Sequence, residues 1–378
     1  MRLPSQGRLN RCWRSLRCGF SLALLIPVVL LLSSLGGCGW IGDRSGKASA
    51  QPYVVVSVGD INLSEDVSGL LEKHGGDYSF EHLRAHIKGD QVLGNLETVV
   101  TDVVVDPRLK KRAIHRMEPR YLETLKDEGF TILGLANNHS GDQGREGFQS
   151  QLGHLQRLGI AGVGGGRNLE EAQQAVIFEG GGLKIAVLSM QKYRKSLAKL
   201  GFFANQSEAG IWALRTKELA ARVKQLRKKD GVDFVIASIH WGSNYKPETK
   251  RQKKIARKLV AAGVDLVNGH GGHIAQSIEL VDGVPVLYGL GNFTFGSDGA
   301  YKRRSPDNRL SMIARYVFSA GGLARIELLP IRTDNRRVKF KPRPAGLEQA
   351  REQFEPVIGR HGLSWDRQEN GWYVWSPS

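Results

Sequence analysis

From Tyr53 onward, short β-branched apolar runs alternate with amphipathic stretches of helical spacing. "YVVVSVGD" opens the series. "QVLGNLE", "FTILGLA", "KIAVLSM", "VDFVIASIH" and "VDLVNGH" follow as apolar runs of strand length. The segments between them predict helices: a short one in "EHLRAHIKGD", then "EPRYLETLKDEG", "REGFQSQLGHLQRLG", "LRTKELAARVKQLRKKDG" and "ETKRQKKIARKLVAAG". Phe148, Leu152, Leu155 and Leu158 lie on one helical face, and Gly129 suits a helix C-terminus. Two stretches break the alternation: "AVIFEGGGLKIAVLSM" and "SIELVDGVPVLYGLGNF" predict hairpins with Gly-rich or Asp-Gly turns. "RLSMIARYVFSAGGLARIELLPIRTD" predicts another, and "LEQAREQFEPVIGRHG" a closing helix. This order predicts an α/β layered domain, built on a mixed sheet or on two stacked sheets with flanking helices.

The segment before Tyr53 has a different character. Arg2, Arg8, Arg11, Arg14 and Arg17 precede the apolar core "GFSLALLIPVVLLL", and "LGGC" follows. This resembles a bacterial lipobox, cleaved between Gly37 and Cys38 with lipid added to Cys38; the alternative is an uncleaved membrane anchor. The reading makes residues 1–37 a lipoprotein signal peptide and residues 38–52 a flexible, Gly/Ser-rich tether. It makes the protein an exported, membrane-anchored lipoprotein of the bacterial cell envelope. Cys12, Cys18 and Cys38 are the three cysteines, so the folded body has neither a disulfide framework nor a thiolate metal site. The formal charge is +17. Without residues 1–37, 49 basic residues still face 37 acidic ones, and such a body favours anionic partners.

Candidate chemistry gathers where strands end. The first run ends in Asp60, with Asn62 just beyond. Later runs end in Asn95 and Glu97, in Asn138 and His139, in His240, and in His270 with His273 three residues on. Ligands of α/β sheets collect at the carboxyl ends of strands, so these residues are expected to converge. Carboxylate, imidazole and amide donors together suit divalent transition ions. Alone, each group also fits a turn, a cap or a hydrogen-bonded structural residue. His74, His82, His86, His115, His154 and His361 fall outside the pattern and are expected to be solvated or capping.

In order, "GDINLS", "GNLE", "ANNHSGDQG", "HWGSNY", "GHGGH" and "VLYGLGNFTFG" resemble the motifs of the capsule or poly-γ-glutamate biosynthesis family of CapA type. That family is similar to the calcineurin-like metallophosphoesterases. The resemblance spans residues 53–297 and leaves 298–378 as a C-terminal extension packing on the domain. It implies a four-layer α/β/β/α metallophosphatase-like sandwich holding two divalent ions of manganese, iron or zinc. Asp60 would bind one ion. Glu97, or Asn95 beside it, would stand where the superfamily bridges both. Asn138, His240, His270 and His273 match the remaining ligands, and His139 matches the histidine that faces the leaving group. Asp142 would orient that imidazole or cap the helix beginning near Gly144. Three departures stand out. Asn62 replaces a histidine, the bridging acid is displaced to Glu97, and two residues separate His270 from His273.

Two functions follow from the resemblance. One is a hydrolase in capsule or poly-γ-glutamate biosynthesis, using metal-activated water on a phosphoester or an amide. The other is a non-catalytic, lipid-anchored binder of an anionic capsular polymer. "KYRKSLAK", "KPETKRQKKIARK" and "RRVKFKPR" are basic clusters suited to such a polymer or to plain solvation. No nucleic-acid-binding module is visible, and nucleic acid is not expected as a partner.

Overall fold

The computed structural model describes residues 51–104, 113–297 and 309–377. The expected signal segment, most of the tether and the lipobox Cys38 lie outside these residues. No helix among them is long and apolar enough to cross a membrane.

Two sheets carry the fold. In the larger, Tyr53–Asn62 is central. Gln91–Leu96, Ile132–Gly134 and Ala161–Val163 follow on one side, each parallel to its neighbour. On the other side Leu310–Ser319 and Gly322–Arg332 form the expected hairpin, antiparallel to the centre, and Tyr373–Trp375 and Asp366–Arg367 extend it. Asn292–Phe295 also runs parallel to the end of the central strand. The second sheet has six strands in the order Ile278–Val281, Val284–Leu287, Leu266–His270, Phe234–His240, Leu183–Gln191 and Val176–Gly180.

Alternation along each strand explains the layers, because successive side chains point to opposite faces. Val55, Leu93 and Ile132 of the larger sheet share one core with Ile185, Val187, Ile236, Leu266 and Leu287 of the smaller. Their neighbours Val56 and Val58 pack outward with Leu122, Leu125, Phe148 and Leu155 of helices Arg120–Asp127 and Gly144–Leu158. On the far side Ala186, Leu188, Val235, Ala237 and Val267 meet Leu219, Val223, Ala256 and Leu259 of helices Thr216–Lys228 and Lys250–Ala261. Helix, sheet, sheet, helix is the four-layer α/β/β/α order. Polar ties cross the middle layer: Asn268 donates to Ser57 Oγ at 2.9 Å, and Tyr316 donates to Asn268 Oδ1 at 2.6 Å.

Local expectations fare unevenly. The Asp282-Gly283 turn has φ of +49° and +81°, the left-handed pair that a two-residue hairpin requires. "EHLRAHIKGD" forms only a 3-10 turn at Arg84–His86, too short for a helical face. The closing helix is split into Leu347–Gln353 and Glu355–Ile358, with Pro356 at the start of the second piece.

Register sets the site. Asp60 pairs with Asn95 and with Asn292, and Asn95 with Gly134. In the second sheet His240 pairs with both His270 and Gln191. Parallel strands ending at one level thus bring residues more than 200 positions apart to a common edge.

Candidate metal centre

Asp60 is fully buried at the end of the central strand. Its Oδ1 accepts from Asn95 Nδ2 at 2.8 Å, and its Oδ2 from the Gly271 amide at 3.3 Å. The rings of His270 and His273 each bring Nδ1 to 3.4 Å from this carboxylate. Glu97 is 1% exposed; its Oε1 lies 3.6 Å from His240 Nε2, and its Oε2 3.9 Å from His273 Nδ1. Asp60, Glu97 and His240 offer ligand atoms all within 4.8 Å of one another. Asn95 Nδ2 also lies 3.3 Å from His240 Nδ1.

Two glycines make the approach possible. A side chain on Gly59 would meet Gly291 O at 1.9 Å, where the Asp60 amide donates to that same carbonyl. Gly271 has φ +85°, and a Cβ there would meet His240 Nε2 at 2.5 Å and Trp241 O at 2.7 Å.

The electrostatics fit a cation. Burial pushes the Asp60 carboxyl up, but hydrogen bonds and charge from His270 and His273 more than reverse this and hold it well below the usual range. Burial keeps His240 neutral, well below the ordinary imidazole value. Burial also disfavours the His273 cation, yet Glu97 and Asp60 outweigh it and push that ring up to about 9. Two buried carboxylates therefore face one favoured imidazolium and a neutral imidazole with ligand geometry. Isolated buried charges are costly, and such groups pair or coordinate metals. A divalent cation suits this donor set; Asp60, Glu97 and His240 bring their ligand atoms together, with His270 and His273 against Asp60.

The stretch "ANNHSGDQG" forms a tight turn beside the centre. Asn137 braces it: Nδ2 donates to Leu96 O at 2.7 Å, and Oδ1 accepts from the His139 amide at 3.0 Å. Asn138 follows, half-buried. His139 Nε2 lies 4.0 Å from Glu97 Oε1, and its Nδ1 is 2.6 Å from Asp142 Oδ2. The helix beginning at Gly144 has Gln143 at its N-cap position, so Asp142 serves the imidazole rather than that cap.

His115 corrects the sequence reading. It is 4% exposed, neither solvated nor a simple cap, and its ring lies 3.8 Å from that of His139. Its amide donates to Asp142 Oδ2 at 2.8 Å. Its Nδ1 is 2.7 Å from Glu65 Oε1, although out of line for a hydrogen bond. Two further amides support the histidines. Asn292 Oδ1 sits 2.9 Å from His273 Nδ1, and Asn268 Nδ2 sits 2.9 Å from His270 Nε2. Asn62, at the position of the missing histidine, instead accepts from the Ser64 amide and hydroxyl.

Comparison with known proteins identifies the family. A PGA biosynthesis protein CapA from Bacillus subtilis is 29% identical over 315 residues, covering 82% of this chain and 79% of that protein. A probable polyglutamine synthesis accessory protein from Mycobacterium tuberculosis is 28% identical, over 72% of this chain and 74% of its own. A phosphatase from Mycoplasma pneumoniae superposes with a TM-score of 0.42 at 12% identity, over 82% of this chain and all of that one. The model of the bacterial capsule synthesis protein PGA_cap matches residues 54–297, the span that contains the buried donors, and the chain belongs to that family.

Proposed function

We propose that this protein is a metal-dependent hydrolase of the cell envelope, acting on an ester or amide bond of an anionic polymer in capsule or poly-γ-glutamate biosynthesis. The observation that carries the reading is the His139–Asp142 pair. It is an oriented imidazole beside the donor cluster, and the family resemblance implies Asn138 ahead of it as an amide ligand. A purely structural cation site has no use for such a group. A bound divalent ion supplies Lewis acidity and lowers the pKa of its water. Asp60, Glu97, Asn138, His240, His270 and His273 would hold it, and Asn95 orients Asp60. Asp142 fixes the His139 ring through Nδ1 and stabilises its protonated form. Nε2 then faces the centre and hands its proton to the departing oxygen or nitrogen as the scissile bond breaks. His115, tilted against the ring, restricts its rotation.

Lipid on Cys38 would place this chemistry at a membrane. The test compares metal-loaded and chelated protein on an activated phosphodiester and on a γ-glutamyl anilide. Metal-dependent turnover of either supports the proposal. Unchanged polymer affinity after chelation, with turnover of neither substrate, would make the protein a binder and refute it.

A further inference from the structure

The metal centre leaves two basic stretches of the sequence unused, and the fold brings the start of each to its rim. Strand Leu183–Gln191 ends level with His240, and the Lys192 amide donates to His240 O at 2.9 Å. Lys192 and Arg194 therefore leave the sheet beside a candidate metal ligand. Arg194 Nη2 reaches Gly242 O at 3.5 Å, and its charge is felt by both Glu97 and His240. Arg251 comes from the other stretch. It is the second residue of helix Lys250–Ala261, whose first turn has no acid. A capping box between Thr249 and Gln252 fixes that helix start, and Gln252 Nε2 donates to Gln276 Oε1 at 2.8 Å. Arg251 lies close enough for its charge to act on both Lys192 and Arg194.

This grouping works against itself. Among the described residues, none of the three cations makes an ion pair. Lys192 and Arg194 are half-buried, and Arg251 is exposed at the helix start. A plainly solvated charge run has no reason to half-bury Lys192 and Arg194 beside the centre. Glu97 already favours the Arg194 cation, and clustered positive charge at a cleft concentrates further anions there.

We propose that Lys192, Arg194 and Arg251 form an oxyanion-recognition site on the rim of the metal centre, holding a carboxylate or phosphodiester group of the substrate polymer beside the scissile bond. The proposal rests on the hydrolase reading for the word substrate, but not for the binding itself.

The test is therefore a binding measurement. Metal-loaded wild type, Lys192→Gln, Arg194→Gln and Arg251→Gln are titrated with a γ-linked glutamate hexamer and with a glycerol-phosphate oligomer of similar length. Metal content and melting temperature are recorded for each. Arg194→Lys keeps the charge if Arg194→Gln disturbs the fold. Lys228→Gln serves as control: it is exposed at the end of helix Thr216–Lys228, at the sheet edge remote from His240. Each charge removed should weaken binding roughly tenfold, as for a lost charge-assisted hydrogen bond, with metal content unchanged. The oligomer that wild type binds identifies the source of the oxyanion. Wild-type affinity in the variants, equal weakening in Lys228→Gln, or no binding of either oligomer overturns the proposal. Absence of turnover with binding intact would instead count against the hydrolase reading alone.

Discussion

Removing the metal should make folding stability depend on His273. In the metal-free protein its imidazolium is a strongly favoured cation beside both Asp60 and Glu97, and their charges raise it to about 9. The ordinary value is 6.5. At about 1.4 kcal/mol per pH unit, that gap is worth roughly 3 kcal/mol. A raised folded-state value contributes stability that is complete below 6.5 and is lost as the pH rises through about 9. The depressed Asp60 carboxyl gives the opposite limb: its contribution is present above 3.8 and disappears as the pH falls through its folded-state value. Both limbs describe one interaction and are counted once. The assay is urea denaturation of chelated wild type and His273→Gln from pH 6 to pH 10. Wild type should lose roughly 3 kcal/mol more than the variant across the alkaline limb. Metal-loaded wild type should not, because a coordinating imidazole is already neutral. Parallel profiles for chelated wild type and variant would refute the assignment.

Other outcomes follow from the same geometry. His240→Ala and His270→Ala should each lower bound divalent metal, by elemental analysis, while the circular dichroism stays native. Gly271→Ala should lose metal and also melt lower, because it meets both a left-handed φ and a Cβ contact with His240 and Trp241; unchanged metal content would show that the loop simply relaxes. Cys38→Ser should leave unlipidated or unprocessed precursor by mass spectrometry, and a mature N-terminus elsewhere would remove the lipobox reading.

Much of the centre was legible because strand ends are legible. Asp60, Glu97, His240 and His270 each close or directly follow an apolar run, and parallel pairing obliges such ends to meet. His115 was not, because nothing around it reads as a strand. Only the short pairing of Val99–Val100 with Arg116–Met117 carries it to His139. Asn268 was hidden for the opposite reason: it lies inside an apolar run, where a buried amide reads as an anomaly until Tyr316, Ser57 and His270 surround it. The number of layers was open for a similar reason. Alternation along "KIAVLSM" shows that both faces are covered, but not whether a helix or a second sheet covers each. The basic stretches read equally well as solvated faces, since charge runs give no sign that Lys192 and Arg194 turn back towards His240.

The central claim is that the buried donors hold metal for catalysis and that His139 serves the reaction rather than the ion. The most direct test is turnover per bound metal in His139→Asn against wild type, using a phosphodiester and a γ-glutamyl amide with poor leaving groups. The account predicts wild-type metal content with turnover lowered by about 10²–10⁴-fold, the range for a lost acid–base group. Wild-type turnover, or a variant that no longer binds metal, would contradict it.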